Sequence, residues 1–282
     1  MTARGFFLSF AILLIAYSPV ALAQGTYTQV DFPGALDTAC IGINEAGDIT
    51  GFYIDSMDIY HGFLLRGGTY STIDYPGALS TSLYRTNDVG QIVGVGDYTG
   101  FMYDENSMTF TEVNYPGSDT TYPTSINNAK TIAGYFTSNG VFSRGFELVG
   151  STYRSLPPQN ANVYVWGITG MGELVGYGQL HGLFDFSFDH GRYQTITIPN
   201  ANLVQIYGVN KAGTALVGQY NSGAGFLYQN GTLQPLRFPG GGLTYAYDVN
   251  NAGEVVGIFL DTGVIQHEHC FTWVPQANAA NR

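Results

Sequence analysis

Short apolar runs alternate with polar turns along the chain, and the alternation itself repeats. A core of the form Ile-Asn-x-x-Gly-x-Ile-x-Gly returns six times at a spacing of 40 to 43 residues. A period near 40 residues with strand-like content is typical of a β-propeller. The core asparagine or its equivalent stands at Asn44, Asn87, Asn127, Thr169, Asn210 and Asn250.

The first repeat unit predicts four strands, over 38–44, 48–53, 62–65 and 70–75. Asn44 and Gly47 mark the first turn, because Asn can bond its own backbone and Gly supplies a positive φ. Gly67-Gly68 predicts a two-residue hairpin, and Pro76 ends the last strand because proline cannot continue a ladder. Six such units predict an all-β, six-bladed propeller with four antiparallel strands per blade.

The two ends of the chain complement each other. The sixth unit has no fourth strand of its own, while residues 25–34 match residues 68–77 almost position by position. We therefore expect the N-terminal strand to complete the last blade, which closes the ring and protects its edges.

The first 23 residues predict a signal peptide. Arg4 precedes an apolar run over 6–17, and Ala21-Leu22-Ala23 forms a cleavage site. A single propeller domain is expected over 24–282, with a short polar tail over 274–282 and no membrane anchor. The protein is expected to be secreted, either to the periplasm or to the exterior.

The amino-acid composition limits the classes of partner that the protein can bind. The net charge is −11, and the only lysines are Lys130 and Lys211. This excludes a basic nucleic-acid face and predicts a soluble monomer. Export permits a disulfide between Cys40 and Cys270, which would close a long loop. Two buried free thiols are the alternative, because sequence does not establish distance.

Three motifs together resemble the HAF family of probable extracellular repeat proteins. They are His61-Gly62-Phe63-Leu64, the repeated core, and the strand pattern Tyr-x-x-Ile-Asp-x-Pro-Gly. Later units have Gly145-Phe146, Gly182-Leu183 and Gly225-Phe226, and a histidine precedes only Gly62, Gly182 and Cys270. The resemblance implies export and a repeat fold. It implies no reaction and no catalytic residues.

Functional residues are expected among departures from the repeat, on the face that holds the variable loops. Two positions before the core asparagine most units have Gly or Ser, but two units have Arg85 and Asp248. This pair could bind a polar ligand in the channel or neutralise itself. The preceding position holds Tyr84, Trp166, Tyr207 and Tyr247, which could stack on sugar rings or pack between blades.

The histidines predict little metal chemistry. His61, His181 and His269 are assigned to one repeated slot before the third strand, where a local hydrogen bond is expected. His267 and His269, with Asp261, are weak candidates for a metal site. We expect no bound metal and no cofactor.

The sequence shows no assembled catalytic set. It lacks a nucleophile elbow, a phosphate-binding loop and a zinc cysteine pattern. The prediction is therefore a non-catalytic module that binds polysaccharide or an extracellular protein through its loop face. A glycan hydrolase or lyase is one alternative, since paired carboxylates cleave glycosides and the loops contain Asp55, Asp58, Asp97 and Asp261. A structural envelope or matrix protein is the other.

Overall fold

The computed structural model describes residues 25–276 apart from 141, 159–160, 180–181 and 222. All regular structure in these residues is β-strand, arranged in six antiparallel sheets of four strands. The six-bladed propeller is therefore confirmed. The predicted signal peptide lies outside the described residues. No helix in this part of the chain is long and apolar enough to cross a membrane.

Each blade is a consecutive meander, except the last. The strand β1 (Gly25–Gln29) precedes blade 1, which contains β2 (Asp37–Ile43), β3 (Ile49–Ile54), β4 (Tyr60–Arg66) and β5 (Thr69–Thr72). Blade 2 contains β6 (Thr81–Thr86), β7 (Gln91–Gly96), β8 (Thr99–Asp104) and β9 (Thr109–Glu112). Blade 3 contains β10 (Thr120–Ile126), β11 (Ile132–Ser138), β12 (Phe142–Val149) and β13 (Thr152–Ser155).

The second half of the ring repeats the arrangement. Blade 4 contains β14 (Asn162–Ile168), β15 (Leu174–Gln179), β16 (Leu183–Asp189) and β17 (Arg192–Ile196). Blade 5 contains β18 (Gln205–Val209), β19 (Ala215–Tyr220), β20 (Ala224–Gln229) and β21 (Thr232–Leu236). Blade 6 contains β22 (Thr244–Val249), β23 (Val255–Leu260), β24 (Glu268–Pro275) and, as its outer strand, β1.

The N-terminal strand closes the ring as the sequence predicts. β1 pairs antiparallel with β24, from Gly25 opposite Pro275 to Gln29 opposite Phe271. A disulfide between Cys40 and Cys270 adds a covalent link between blades 1 and 6, with a Cα–Cα distance of 5.2 Å. Of the two alternatives that the sequence left open, the structure has the bridge.

The repeated core builds the turn between the first two strands and joins neighbouring blades. Asn44 Oδ1 accepts hydrogen bonds from the Ala46 and Asp48 amides at 3.0 and 2.9 Å. The Nδ2 group of Asn87 donates to the carbonyl of Asn127 in the next blade at 3.1 Å. The last glycine of the core allows close strand approach: a Cβ on Gly51 would lie 1.9 Å from the Ala39 carbonyl oxygen.

The outer strands are shorter than predicted. β5 ends at Thr72, whereas the sequence predicts a strand to residue 75. The ladder ends early because Asp74 turns back, and its Oδ1 accepts a hydrogen bond from the Gly62 amide at 3.1 Å.

Between the blades, each third strand contributes one fully buried phenylalanine to the hydrophobic core. These six residues are Phe63, Phe101, Phe146, Phe186, Phe226 and Phe271.

Candidate functional site

The ring has two unlike faces. We call "loop face" the end that holds the connections between blades and between the second and third strands of each blade. The turn face, at the other end, holds the Asn-x-x-Gly turns and the outer hairpins. The predicted site residues lie between these faces, in the channel lined by the first strands, and in the loops.

A β-bulge interrupts the first strand of every blade, and in blades 3 to 6 a backbone carbonyl at the bulge points toward the channel. The register shifts past Tyr84-Arg85 in blade 2 and past Thr124, Trp166, Tyr207 and Tyr247 in blades 3 to 6. A bulged residue has no ladder partner, so its carbonyl is free for another contact.

Arg85 uses these free carbonyls. Its Nη1 donates to the carbonyl oxygens of Thr124, at 3.3 Å, and Trp166. Its Nη2 donates to those of Tyr207 at 2.8 Å and Tyr247 at 2.6 Å. One guanidinium from blade 2 thus binds the backbones of blades 3, 4, 5 and 6.

Asp248 extends the contact to blade 1. Its Oδ2 lies 3.0 Å from Arg85 Nε and accepts a hydrogen bond from the Ile43 amide at 3.0 Å. Both side chains are buried, with 6% of Arg85 and 4% of Asp248 exposed. Burial raises the pKa of Asp248, and Arg85 opposes that rise. These are the contacts of a structural ion pair, and a ligand site at Arg85 and Asp248 stays a prediction.

Toward the turn face, the channel holds only a small cavity. Its volume is about 60 Å³, and Arg85 and Asp248 are among its lining residues. At the rim Lys211 of blade 5 reaches across to Asp88 of blade 2, with Nζ 2.8 Å from Oδ2. This cavity has room for water or a small ion, not for a sugar.

Toward the loop face, the four predicted aromatic residues pack on one another. Trp166 lies between Tyr84 and Tyr207, with ring centroids 6.5 and 5.8 Å apart, and Tyr207 contacts Tyr247 at 5.2 Å. Burial raises the phenol pKa of Tyr84, Tyr207 and Tyr247. Packing against neighbouring rings and blades therefore covers most of the surface of these four side chains. Tyr84, Trp166 and Tyr247 remain partly exposed, so sugar stacking by them stays a prediction.

Two histidines form equivalent clusters with aspartates in adjacent blades. In blade 1, His61 Nδ1 lies 2.8 Å from Asp74 Oδ2, and Nε2 lies 3.5 Å from Asp55 Oδ2. In blade 6, His269 Nδ1 lies 2.8 Å from Asp31 Oδ2, and Nε2 lies 3.9 Å from Asp261 Oδ2. The sequence pattern identified the repeated histidine position at the start of the third strand. It did not identify the aspartate after the outer strand, which is the partner of each histidine.

The metal candidates do not assemble. His267 Nδ1 is directed to Asp37 at 3.3 Å, whereas His269 is held by Asp31. Within the described ranges, no three His, Cys, Asp or Glu side chains are grouped to hold a metal ion.

The slot assigned to His181 was wrong. Gly51 pairs with Phe63 in blade 1, and Gly176 pairs with Phe186 in blade 4. The blade 4 residues equivalent to His61 and Gly62 are therefore Phe184 and Asp185. His181 itself lies outside the described residues.

The His61 cluster should make a small part of the stability depend on pH. Burial alone would lower the pKa of His61, but its hydrogen bonds and charge interactions with Asp74 and Asp55 outweigh burial and raise it. Folding then favours the protonated ring, so this stabilisation is complete below the unfolded pKa of about 6.5 and is lost as pH rises through the folded pKa. Solvent screening should keep it below about 1 kcal/mol.

Asp74→Asn should lower the pKa of His61, because it removes the nearer carboxylate. The measurement is an NMR titration of the His61 ring protons in both proteins. His190 is the internal control, because it pairs with Asp189 in an outer hairpin and should titrate unchanged. An identical His61 titration in the two proteins would contradict the assignment.

Three of the four loop acids accept hydrogen bonds from backbone amides of the loops. Asp55 Oδ1 accepts from the Met57 and Ile59 amides at 2.8 and 3.0 Å. The Asp97 carboxylate accepts from the Leu79 and Ser80 amides, and Asp261 accepts from the Gly263 and His267 amides. Backbone hydrogen bonds are the largest cause that lowers the pKa of Asp55 and of Asp261. None of these contacts forms the paired acid and base of a glycosidase.

Charge is distributed unequally between the faces. Among the described residues the loop face carries two arginines, Arg144 and Arg237, and the turn face carries five cationic residues. The loop-face acids are Asp31, Asp37, Asp55, Asp58, Asp74, Asp97, Glu112, Asp119, Asp185, Asp261 and Glu268. The loop face is therefore strongly negative, a property that attracts cationic partners.

The loop face also carries most of the exposed apolar side chains. Of the fourteen large apolar side chains that are exposed among the described residues, nine lie there. They are Leu36, Met57, Tyr60, Leu79, Tyr98, Leu183, Leu203, Val264 and Ile265. Exposed apolar groups rimmed by polar residues are typical of interaction surfaces.

Solved structures with the same fold support the architecture. Regucalcin, a calcium-binding protein from Agrobacterium tumefaciens, aligns with a TM-score of 0.53 and 12% identity over 89% of this chain and 94% of its own. TolB from Acinetobacter baumannii aligns with a TM-score of 0.54 and 12% identity, over 86% of this chain and 68% of its own.

A lectin from Aleuria aurantia, in complex with a fucose disaccharide, aligns with a TM-score of 0.50 and 14% identity over 88% of this chain and 98% of its own. At such identities the similarity shows the propeller fold alone. No protein-family model and no curated protein matches the chain, so the HAF resemblance stays a prediction.

Proposed function

We propose that this protein is an exported, non-catalytic binding module whose loop face takes a basic, partly apolar segment of an extracellular protein. The observation that carries the proposal is the difference between the faces: the loop face combines most of the exposed apolar residues with a large excess of acids. The acidic loop face attracts a basic segment, which raises the association rate, and it repels anionic partners. Apolar contacts then provide the affinity.

Carbohydrate is the second candidate, favoured by a different observation. Aromatic rings surround the loop-face mouth of the channel, and those of Tyr122, Tyr164 and Tyr245 are partly exposed. Flat rings offer sugars apolar area with a polar rim. The lectin with the same fold was solved with a fucose ligand.

Binding should depend on loop-face charge. The probe is a labelled 12-residue peptide of alternating Lys and Leu, measured by fluorescence anisotropy against the chain from residue 24. Asp58→Asn with Asp119→Asn, which neutralises two exposed loop-face acids, should weaken binding by about threefold, since exposed charge pairs each contribute ~0.2–1 kcal/mol. Added salt should weaken binding further.

The matched control neutralises two acids of the turn face, in the variant Glu173→Gln with Asp189→Asn. Equal weakening by the control variant, or equal binding of a Glu and Leu peptide, would contradict the proposal. A glycan panel tested on the same protein separates the candidates: glycan binding without peptide binding would favour carbohydrate.

A further inference from the structure

Blade 4 departs from the repeat at one position of its third strand. The residue before the buried phenylalanine is Gly62, Gly100, Gly145, Gly225 or Cys270 in the other blades, and Asp185 in blade 4. A Cβ on Gly62 or Gly100 would lie 2.5 Å from a backbone oxygen. Such crowding excludes a side chain in blades 1 and 2, while blade 6 holds the Cys270 side chain at this position and blade 4 has room for a carboxylate.

The room is a pocket between blades 4 and 5, on the loop-face side. We call it the blade 4/5 pocket. Its volume is about 420 Å³, and its lining includes the apolar side chains of Phe184, Ile198 and Val204, with Leu183 and Leu203 exposed beside them. Asp185 is the one ionisable side chain in the pocket lining among the residues that the structure describes.

The Asp185 carboxylate is only partly satisfied. Its Oδ1 accepts a hydrogen bond from the Ile206 amide at 2.9 Å, while Oδ2 has no hydrogen-bond partner among the described residues. The side chain is only 7% exposed. Burial raises the pKa of Asp185 to about 7, and the Ile206 hydrogen bond opposes the rise. Burying an ionisable group without a counter-charge is costly, and a ligand that supplies the charge would remove that cost.

The backbone at the pocket edge adds a second sign of a built site. Leu203 has a φ of 48°, in the left-handed region that a leucine rarely adopts. Its side chain is 63% exposed, so burial of leucine does not compensate for the conformation. Backbone strain of this kind is concentrated at ligand sites.

We propose that the blade 4/5 pocket binds a small primary amine with an apolar body, the ammonium on the free oxygen of Asp185 and the body against the apolar walls. A pocket that combines apolar side chains with one oriented carboxylate selects ligands with a positive charge at one end and an apolar body. The site stands whether or not the loop face binds a basic protein segment.

The test compares two probes of nearly equal shape, 2-phenylethylamine and 2-phenylethanol, by calorimetry with the exported chain. We expect the amine to bind at least about tenfold more tightly than the alcohol, which corresponds to one charge-assisted hydrogen bond. Asp185→Asn should remove that preference. Asp185→Gly, which has the residue found in four other blades, should also remove the preference. This second variant keeps the test decisive if Asp185→Asn fails to fold. Glu173→Gln, on the turn face, is the remote control.

Binding should also release protons. Near pH 7 about half of the Asp185 carboxyls are protonated, so binding of an ammonium should expel a fraction of a proton and tighten as pH rises through 7. Among the described residues, the other titratable groups that interact with Asp185 are the Tyr177 and Tyr207 phenols, whose pKa burial raises, so they stay neutral in this range. The amine's binding heat should therefore vary with the ionisation heat of the buffer, and this variation should vanish in both Asp185 variants.

Equal affinity for the amine and the alcohol, no amine binding at millimolar concentration, or amine binding that survives both Asp185 substitutions would each overturn the proposal.

Discussion

Replacing Arg85 by methionine should destabilise the protein by about 3–5 kcal/mol, the usual cost of breaking a buried ion pair. The substitution keeps an apolar stem of similar length but leaves the Asp248 carboxylate and four channel carbonyls without their partner. Chemical unfolding followed by tryptophan fluorescence measures the loss.

Two comparisons make this result specific. Arg192→Met, on an exposed outer hairpin, should change stability by no more than about 0.5 kcal/mol. Adding Asp248→Leu to Arg85→Met should cost less than the two single losses combined, because the buried charge that Arg85 leaves behind is removed as well. A loss below about 1 kcal/mol in Arg85→Met would show that the channel contacts do not hold the ring together.

Reducing the Cys40–Cys270 disulfide should also cause a large loss of stability, the second that we predict. The two residues are 230 positions apart, and the chain-entropy model gives a loop of that length a stabilisation of ~5 kcal/mol, with ~2–5 kcal/mol typical of native disulfides. The urea midpoint of the chain should therefore fall on addition of a reductant.

The control for reduction is the variant Cys40→Ala with Cys270→Ala, whose midpoint should not respond to the reductant. Maleimide labelling of the unfolded wild-type chain should find two thiols after reduction and none before it. Labelling without reduction, or a midpoint that reductant leaves unchanged, would contradict a stabilising bridge.

The propeller could be predicted from sequence because single residues determine its turns. Asn44 and Gly47 specify a turn by local hydrogen bonding and positive φ, and the same pair returns in most units. The match between 25–34 and 68–77 predicted closure of the ring for a similar reason. The N-terminal segment has the sequence pattern of an outer strand, and the last blade needs one. Such features depend on a few neighbouring residues, so they can be predicted without knowledge of distant contacts.

The channel contacts could not be predicted in the same way. The sequence placed Arg85 and Asp248 in the channel, but it does not encode which way a backbone carbonyl points. The bulges at Thr124, Trp166 and Tyr207 determine that direction. From the sequence, the side chains at these positions were considered, among them the aromatic rings of Trp166 and Tyr207, and the backbone carbonyls were missed.

Asp185 was missed because the loop before β16 is shorter than its counterpart in blade 1. Gly182-Leu183 imitates Gly62-Phe63 and was aligned with it, which concealed the substitution. The outer hairpin gives the correct alignment: Phe63 precedes Gly67 by four residues, and Phe186 precedes His190 by four. Counting back from the hairpin would have placed an aspartate where a glycine is expected.

The Arg85 contacts also bear on how such a ring can evolve. A guanidinium has a fixed size and a fixed fork of donors, and here it reaches the inner strands of four blades directly and a fifth through Asp248. A seventh repeat would widen the channel beyond that reach. Repeats of this kind are gained by duplication, so a residue that spans the channel opposes any change in blade number.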